Sequence, residues 1–245
     1  MTSEGLSAAE SASAEQWEPH VIEGIDVPID QSEVARYMGY PASAAAPNSH
    51  LAEILDEWIP IAAERSVPRA VYADFPIVSI DKRSLSLRTP SGTTDFHGAI
   101  GEFLGGSERI VAFVASAGKE LQALADELSA AGKSLEAFIV NAVGAERAES
   151  AEQVIVDRLK AESDATGLVP TLPYSPGYCG MELTEQRPLF AMFGGKPAGV
   201  TLTEDCLMYP LKSVSGLIGL APPELVEVYR SPCDRCERRT CDMRR

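Results

Sequence analysis

Positive charge is scarce in this chain. Lys and Arg number 21 against 36 Asp and Glu, a formal net charge of −15. Nucleic-acid binding draws its affinity from Lys and Arg clustered against phosphate, so this balance argues against a nucleic-acid partner. Long apolar runs are missing as well. The longest, such as 110–117, fall far short of the roughly 20 residues that span a bilayer. No charged-then-apolar leader opens the chain. These absences lead to the expectation of a soluble, cytoplasmic protein with no membrane partner. Histidine is nearly absent: His20, His50 and His97 stand far apart and form no ligand motif, which suits surface or internally satisfied side chains. A Gly-x-Ser-x-Gly elbow is lacking, which leaves hydrolase chemistry without support. The chain also has no glycine-rich phosphate loop and no strict βαβ rhythm, and this disfavours a doubly wound nucleotide-binding fold. Five cysteines, an odd count, argue against a disulfide framework.

The chain does have enough apolar residues, 45% of 245, to bury a substantial core in one domain. Residues 1–21 are expected to be disordered, because 1–18 are rich in Ser, Ala and Glu without an apolar period. Residues 22–229 read as the folded domain and 230–245 as a basic, cysteine-bearing tail. Helical spacing predicts a short capped helix from Asp30 to a stop at Gly39, a second over 49–64, a third over 119–131 and a long one over 135–161 interrupted or bent near Gly144. Strands are expected at 69–80, 84–88 and 109–115. The fold class is α+β: a single domain with a twisted, mostly antiparallel sheet flanked by helices.

The informative region begins at Tyr174. In Ser175-Pro176-Gly177-Tyr178, Pro176 fixes one φ angle and Gly177 permits a positive one, so the four residues form a tight turn that presents the Tyr178 ring and nearby backbone amides. Alone, such a turn is more often structural than functional. An apolar helical face follows through Leu183, Gln186, Leu189, Phe190 and Phe193. Two strands broken around Pro210 come next, with Ser213 and Ser215 on one side of the second.

The order Pro176-Gly177-Tyr178, a helix, Gly199, Leu202-Thr203-Glu204, Met208, Pro210 and Ser213-Val214-Ser215-Gly216 resembles the activation (reactivation) domain of vitamin B12-dependent methionine synthase. The likeness covers roughly 22–223 and is strongest after Tyr174. It implies an accessory component of a cobalamin-dependent methyltransferase system that acts on the corrinoid of a partner subunit, served by an electron-donor protein. Tyr178 would be the catalytic residue at the corrinoid face. Ser175, Pro176, Gly177, Tyr178, Ser213, Ser215 and Gly216 would be the cofactor-binding set. In this family a methyl group from S-adenosylmethionine and an electron restore the methylated cofactor, and the protein supplies orientation and exclusion of water. The chain departs from the pattern at Pro173, where the family has an Arg that holds S-adenosylmethionine. It departs again at Leu217-Ile218, in place of an aromatic pair. Backbone around 175–178 is then what this chain offers S-adenosylmethionine.

Beyond the likeness lies Cys233-x-x-Cys236-x-x-x-x-Cys241, set among six Arg from Arg230 onward. Two thiolates in a CxxC turn meet one metal, and a third five residues on can reach it. Nearby Arg favours the thiolate form. Three cysteines are one short of a closed site, which leaves Cys179, Cys206, water or a partner as the fourth ligand. Iron–sulfur cluster, zinc, redox-active thiols and no special role all stay open on spacing alone. The basic tail itself reads either as a solvated end or as a docking patch for an acidic partner. A non-catalytic metal-binding module that keeps the fold is the alternative to the corrinoid reading.

Overall fold

The computed structural model describes residues 18–40, 49–226 and Asp234. Cys233, Cys236 and Cys241, and the segment 1–17, lie outside the described residues.

The chain enters through strand β1 (His20–Ile22) and helix α1 (Gln31–Tyr37). Asp30 caps α1 by accepting from the amides of Ser32 and Glu33. Helix α2 (Ser49–Arg65) leads into β2 (Arg69–Ile80), which turns back through β3 (Ser84–Thr89) and β4 (Gly92–His97). A one-turn helix, α3 (Ile100–Phe103), precedes β5 (Arg109–Ser116), α4 (Lys119–Ala130), the long α5 (Ser134–Ala161) and the short α6 (Ser163–Thr166). After β6 (Val169–Pro170) come α7 (Gln186–Met192), the small hairpin β7 (Thr201–Leu202) and β8 (Met208–Tyr209), and β9 (Ser213–Ala221).

Seven strands form one sheet in the order β4-β3-β2-β5-β9-β6, with β1 also on β2, and every pairing is antiparallel. The sheet is curled and flanked by helices, so the α+β class read from the sequence holds. β5 is buried on both faces, which is why its sequence is a continuous apolar run instead of an alternating one. One face carries Val111, Phe113 and Ala115 against Ile155 and Leu159 of α5. The other carries Ile110, Ala112 and Val114 against Leu104, Tyr174, Leu189 and Phe190.

Helix α5 runs unbroken for 28 residues, about 42 Å at 1.5 Å per residue. Its second half covers the sheet, and its first half joins α1, α2 and α4 in a separate helical core. The interruption considered near Gly144 does not occur, and the glycine sits in close packing instead. A Cβ at Gly144 would stand 2.7 Å from Lys212 Cγ and 3.2 Å from Leu121 Cδ2. The entering segment is tied to α5 by a buried ion pair: Arg147 Nε lies 2.6 Å from Glu146 Oε2, and the same guanidinium donates to the carbonyls of Val27 and Pro28. Glu146 in turn accepts from the Asp30 amide at 3.2 Å.

Candidate functional site

The segment from β6 to Tyr174 runs antiparallel along the outer edge of β9. Thr171 N–H donates to the Gly219 carbonyl (2.8 Å), and Tyr174 and Leu217 exchange both backbone bonds at 2.9 Å. One residue later the chain leaves the sheet. Pro176 and Gly177 are the centre of a turn closed by Tyr178 N–H to the Ser175 carbonyl (3.2 Å), and Gly177 has φ +89°. Pro followed by a positive-φ residue is the signature of a type II turn; the sequence indicated a tight turn here without its type. A second turn follows at once. Met181 N–H donates to the Tyr178 carbonyl (2.9 Å), and its central residues Cys179 and Gly180 both have positive φ, +46° and +86°, as in a type I′ turn. Gly177 N–H closes the pair onto the Met181 carbonyl at 2.9 Å. Tyr178 is the shared corner of the two turns, and its side chain is 66% exposed.

Tyr174 fixes this double turn to the core. Its ring is buried and stacks on Phe103 of α3, with centroids 4.5 Å apart and planes 7° from parallel. Its hydroxyl accepts from the Ala99 amide (2.9 Å) and donates to the Cys179 carbonyl (3.2 Å). Burial, then the charges of Cys179 and Glu102, push its phenol above the ordinary range. Gly98 makes room for it, since a Cβ there would stand 2.7 Å from the Tyr174 hydroxyl. None of these supports shows in the sequence: Tyr174 and Gly98 are 76 positions apart, and no periodicity links them.

The loop and the serine strand meet at one place. A Cβ on Gly216 would fall 2.9 Å from both Ser175 Oγ and the Tyr174 carbonyl, and 3.1 Å from the Phe113 ring. Gly216 therefore lets the loop lie against β9. Ser213 and Ser215 are buried and occupied within the protein. The Ser213 hydroxyl donates to the Pro210 carbonyl (2.8 Å) and lies 3.0 Å from Ser116 Oγ, while Ser215 donates to Gln186 Oε1 at 2.9 Å. Gln186, counted in the sequence on an apolar helical face, is thus the polar partner that joins α7 to β9. Pro176 is buried, Gly177 exposed, and Ser175 and Pro173 half-buried.

Other groups frame the loop. Leu183 Cδ1 lies 3.4 Å from where a Gly177 side chain would begin, and Glu185 two residues on has Oε1 3.6 Å from His97 Nδ1. Cys206, the thiol of the β7–β8 hairpin, is buried, whereas Cys179 is partly exposed. Among the described residues, no group of three or more His, Cys, Asp or Glu is arranged to hold a metal ion.

Comparison with known proteins brings these features together. A search of curated proteins finds no match. Among solved structures the chain is similar to the crystal structure of the MetH reactivation domain bound to AdoHcy. The TM-score is 0.63 and the identity 18%, covering 89% of this chain and 82% of that one, a likeness of fold. The family model for the vitamin B12 dependent methionine synthase activation domain matches residues 99–226, from the Ala99 amide that holds Tyr174 through the double turn to just beyond β9. The chain belongs to the vitamin B12-dependent methionine synthase activation-domain family.

Proposed function

We propose that this protein docks over the corrin ring of a corrinoid-bearing methyltransferase subunit, a methionine synthase or a close counterpart, and supports return of the cofactor to its methylated state. The supporting observation is Tyr178: a largely exposed aromatic side chain at the corner of two hydrogen-bonded turns, tied to the core by Tyr174. An exposed ring on a rigid backbone suits a flat, amphipathic macrocycle, because little conformational freedom is lost when the two meet. The corrinoid supplies the methyl-transfer and redox chemistry when it is present. This chain's own residues orient it: Tyr178 covers its face, and the loop excludes water around it. A one-electron donor protein and a cytoplasmic location go with this reading.

S-adenosylmethionine has little to hold it here. Pro173 contributes no donor where the family has Arg, and Ser213 and Ser215 spend their hydroxyls within the protein. We read any S-adenosylmethionine contact as limited to the backbone of 175–178, with affinity weaker than micromolar. The array Cys233, Cys236 and Cys241 we read as a thiolate site for an iron–sulfur cluster or zinc.

Titration of a corrinoid protein with this chain, followed by the corrinoid's visible spectrum, tests the central reading. The spectrum should change on binding. Tyr178→Ala should weaken that response by about 30-fold, as loss of a central aromatic contact does. A fully folded wild-type chain that leaves the spectrum unchanged at every accessible concentration would overturn the proposal.

A further inference from the structure

We infer that His97 and Glu185 form a proton-dependent clasp on the double turn, holding it most firmly when the imidazole carries its charge. The consequence for the corrinoid rests on the reading of Tyr178 given above. Glu185 is poorly placed as a lone carboxylate. Its side chain is 15% exposed, and its Oε2 is sealed from solvent with no hydrogen-bond partner among the described residues. A charged oxygen enclosed without a donor loses its hydration with no return. Among the described residues, the one cationic group within ion-pair distance is His97, whose Nδ1 lies 3.6 Å from Oε1. That separation is too long for a hydrogen bond, so the attraction depends on the charge of the ring. Histidine is the side chain whose charge ordinarily changes between about pH 5 and 8.

The contact closes a circuit around the Tyr178 turn. His97 ends β4, and the two residues after it are already fastened: Gly98 N–H donates to the Arg83 carbonyl (3.0 Å), and the Ala99 amide to the Tyr174 hydroxyl (2.9 Å). Tyr174 passes the connection to the Cys179 carbonyl. Met181 ends the double turn, and Leu183 two residues on lies against Gly177. Glu185 closes the short 3-10 turn that begins at Leu183 and returns the path to His97. The other charged groups nearby do not replace it. Asp81, in the turn between β2 and β3, is the second carboxylate that acts on His97; it accepts from the amides of Arg83 and Ser84 and from the Ser84 hydroxyl. Asp95, on the same side of β4, is 2.5 Å from the Ser86 hydroxyl. Lys82, Arg83 and Glu182 are exposed, Arg83 and Glu102 act on Tyr174, and Arg187 of α7 donates to the Glu204 carbonyl. Two carboxylates thus face the imidazole, and of the two Glu185 belongs to the segment that backs the Tyr178 turn.

The test follows hydrogen exchange of the full chain at the Gly177 and Met181 amides, which donate within the double turn, corrected for the intrinsic pH dependence of exchange. From about pH 5.5 to about pH 8 their protection in wild type should fall about threefold, the scale of a partly exposed ion pair. His97→Gln and Glu185→Gln keep size and polarity and remove the charge, and each should flatten the profile at the high-pH level. The double variant should add nothing to either. His97→Lys, charged throughout this range, should hold the low-pH level at both ends. The affinity read by corrinoid titration should follow the same profile in each protein. Protection in wild type that does not change with pH overturns the clasp, as does a slope shared by wild type and both Gln variants, which is what a merely structural contact would give. Protection that follows pH as stated, with no corrinoid response at any pH, supports the clasp and overturns the reading of Tyr178 instead.

Discussion

Replacing Tyr174 by Phe isolates the anchor of the double turn. The substitution keeps the stack on Phe103 and both backbone bonds to Leu217, and removes only the hydroxyl. Two hydrogen bonds are lost, from the Ala99 amide at 2.9 Å and to the Cys179 carbonyl at 3.2 Å. Each such bond contributes about 1 kcal/mol net, and a partner left dry costs more. Ala99 and Cys179 are half-buried, so water partly compensates, and the expected loss is about 2 kcal/mol. For a chain of this size that lowers Tm by roughly 4–8 °C. A urea titration should show a lower midpoint at unchanged slope, and amide exchange should quicken at Ala99. Burial raises the Tyr174 phenol above its usual 10.0. The contribution of the neutral phenol is thus complete below pH 10 and fades as pH rises through the folded value, so the gap between wild type and Tyr174→Phe should narrow in strong alkali. A variant within about 0.5 kcal/mol of wild type at neutral pH would refute the anchoring role.

Other changes test separate parts of the structure. Gly216→Ala should destabilise by about 1–3 kcal/mol through overpacking against the Tyr174 carbonyl and the Phe113 ring, and should weaken the corrinoid response along with it, as read by parallel unfolding and titration. Arg147→Met strands the buried Glu146 carboxylate and should cost about 3–5 kcal/mol, with the segment before α1 becoming protease-sensitive. Asp30→Ala should cost about 1 kcal/mol as a lost N-cap. The Ser32 hydroxyl foremost holds the Asp30 carboxyl below its usual 3.8, so the difference is present above that value and disappears as pH falls through the folded one, in acid denaturation. Burial pushes the Lys212 amine below its usual 10.5. The charged form is then penalised in the folded state, and Lys212→Met should stabilise at neutral pH, by an amount that shrinks as pH climbs toward 10.5 in thermal melts.

The layout of the core was readable wherever one physical signal dominated. β5 announced itself because both of its faces are covered, and α4 because its apolar residues recur on one side. β4 gave no such signal. It is an edge strand reading Gly-Thr-Thr-Asp-Phe-His, with Phe96 its one fully buried residue, and its composition resembles a loop because one side faces water. Gly144 misled for a related reason. Helix propensity weighs a glycine against its own helix, whereas the requirement here comes from Lys212 and Leu121 on other elements. Contacts between distant segments leave no periodic trace.

The same distinction separates the parts of the candidate site. The turn at 175–178 was legible because Pro and Gly encode it locally, and Gly177 has the positive φ that such a turn calls for. Ser213, Ser215 and Gly216 were legible only as a pattern of identities, and a pattern does not say which way a hydroxyl points. In the fold those serines bind β9 to Pro210 and to Gln186 of α7, and Gly216 clears a path for the loop. A set of residues that reads as ligand contacts can therefore serve to hold one exposed residue in place. The strand supports the turn, and the turn presents Tyr178. Substitutions at Ser215 and at Tyr178 should then separate in kind: Ser215→Ala should lower stability and corrinoid response together, whereas Tyr178→Ala should weaken the response by about 30-fold and leave the melting temperature within about 2 °C of wild type, as for a surface residue.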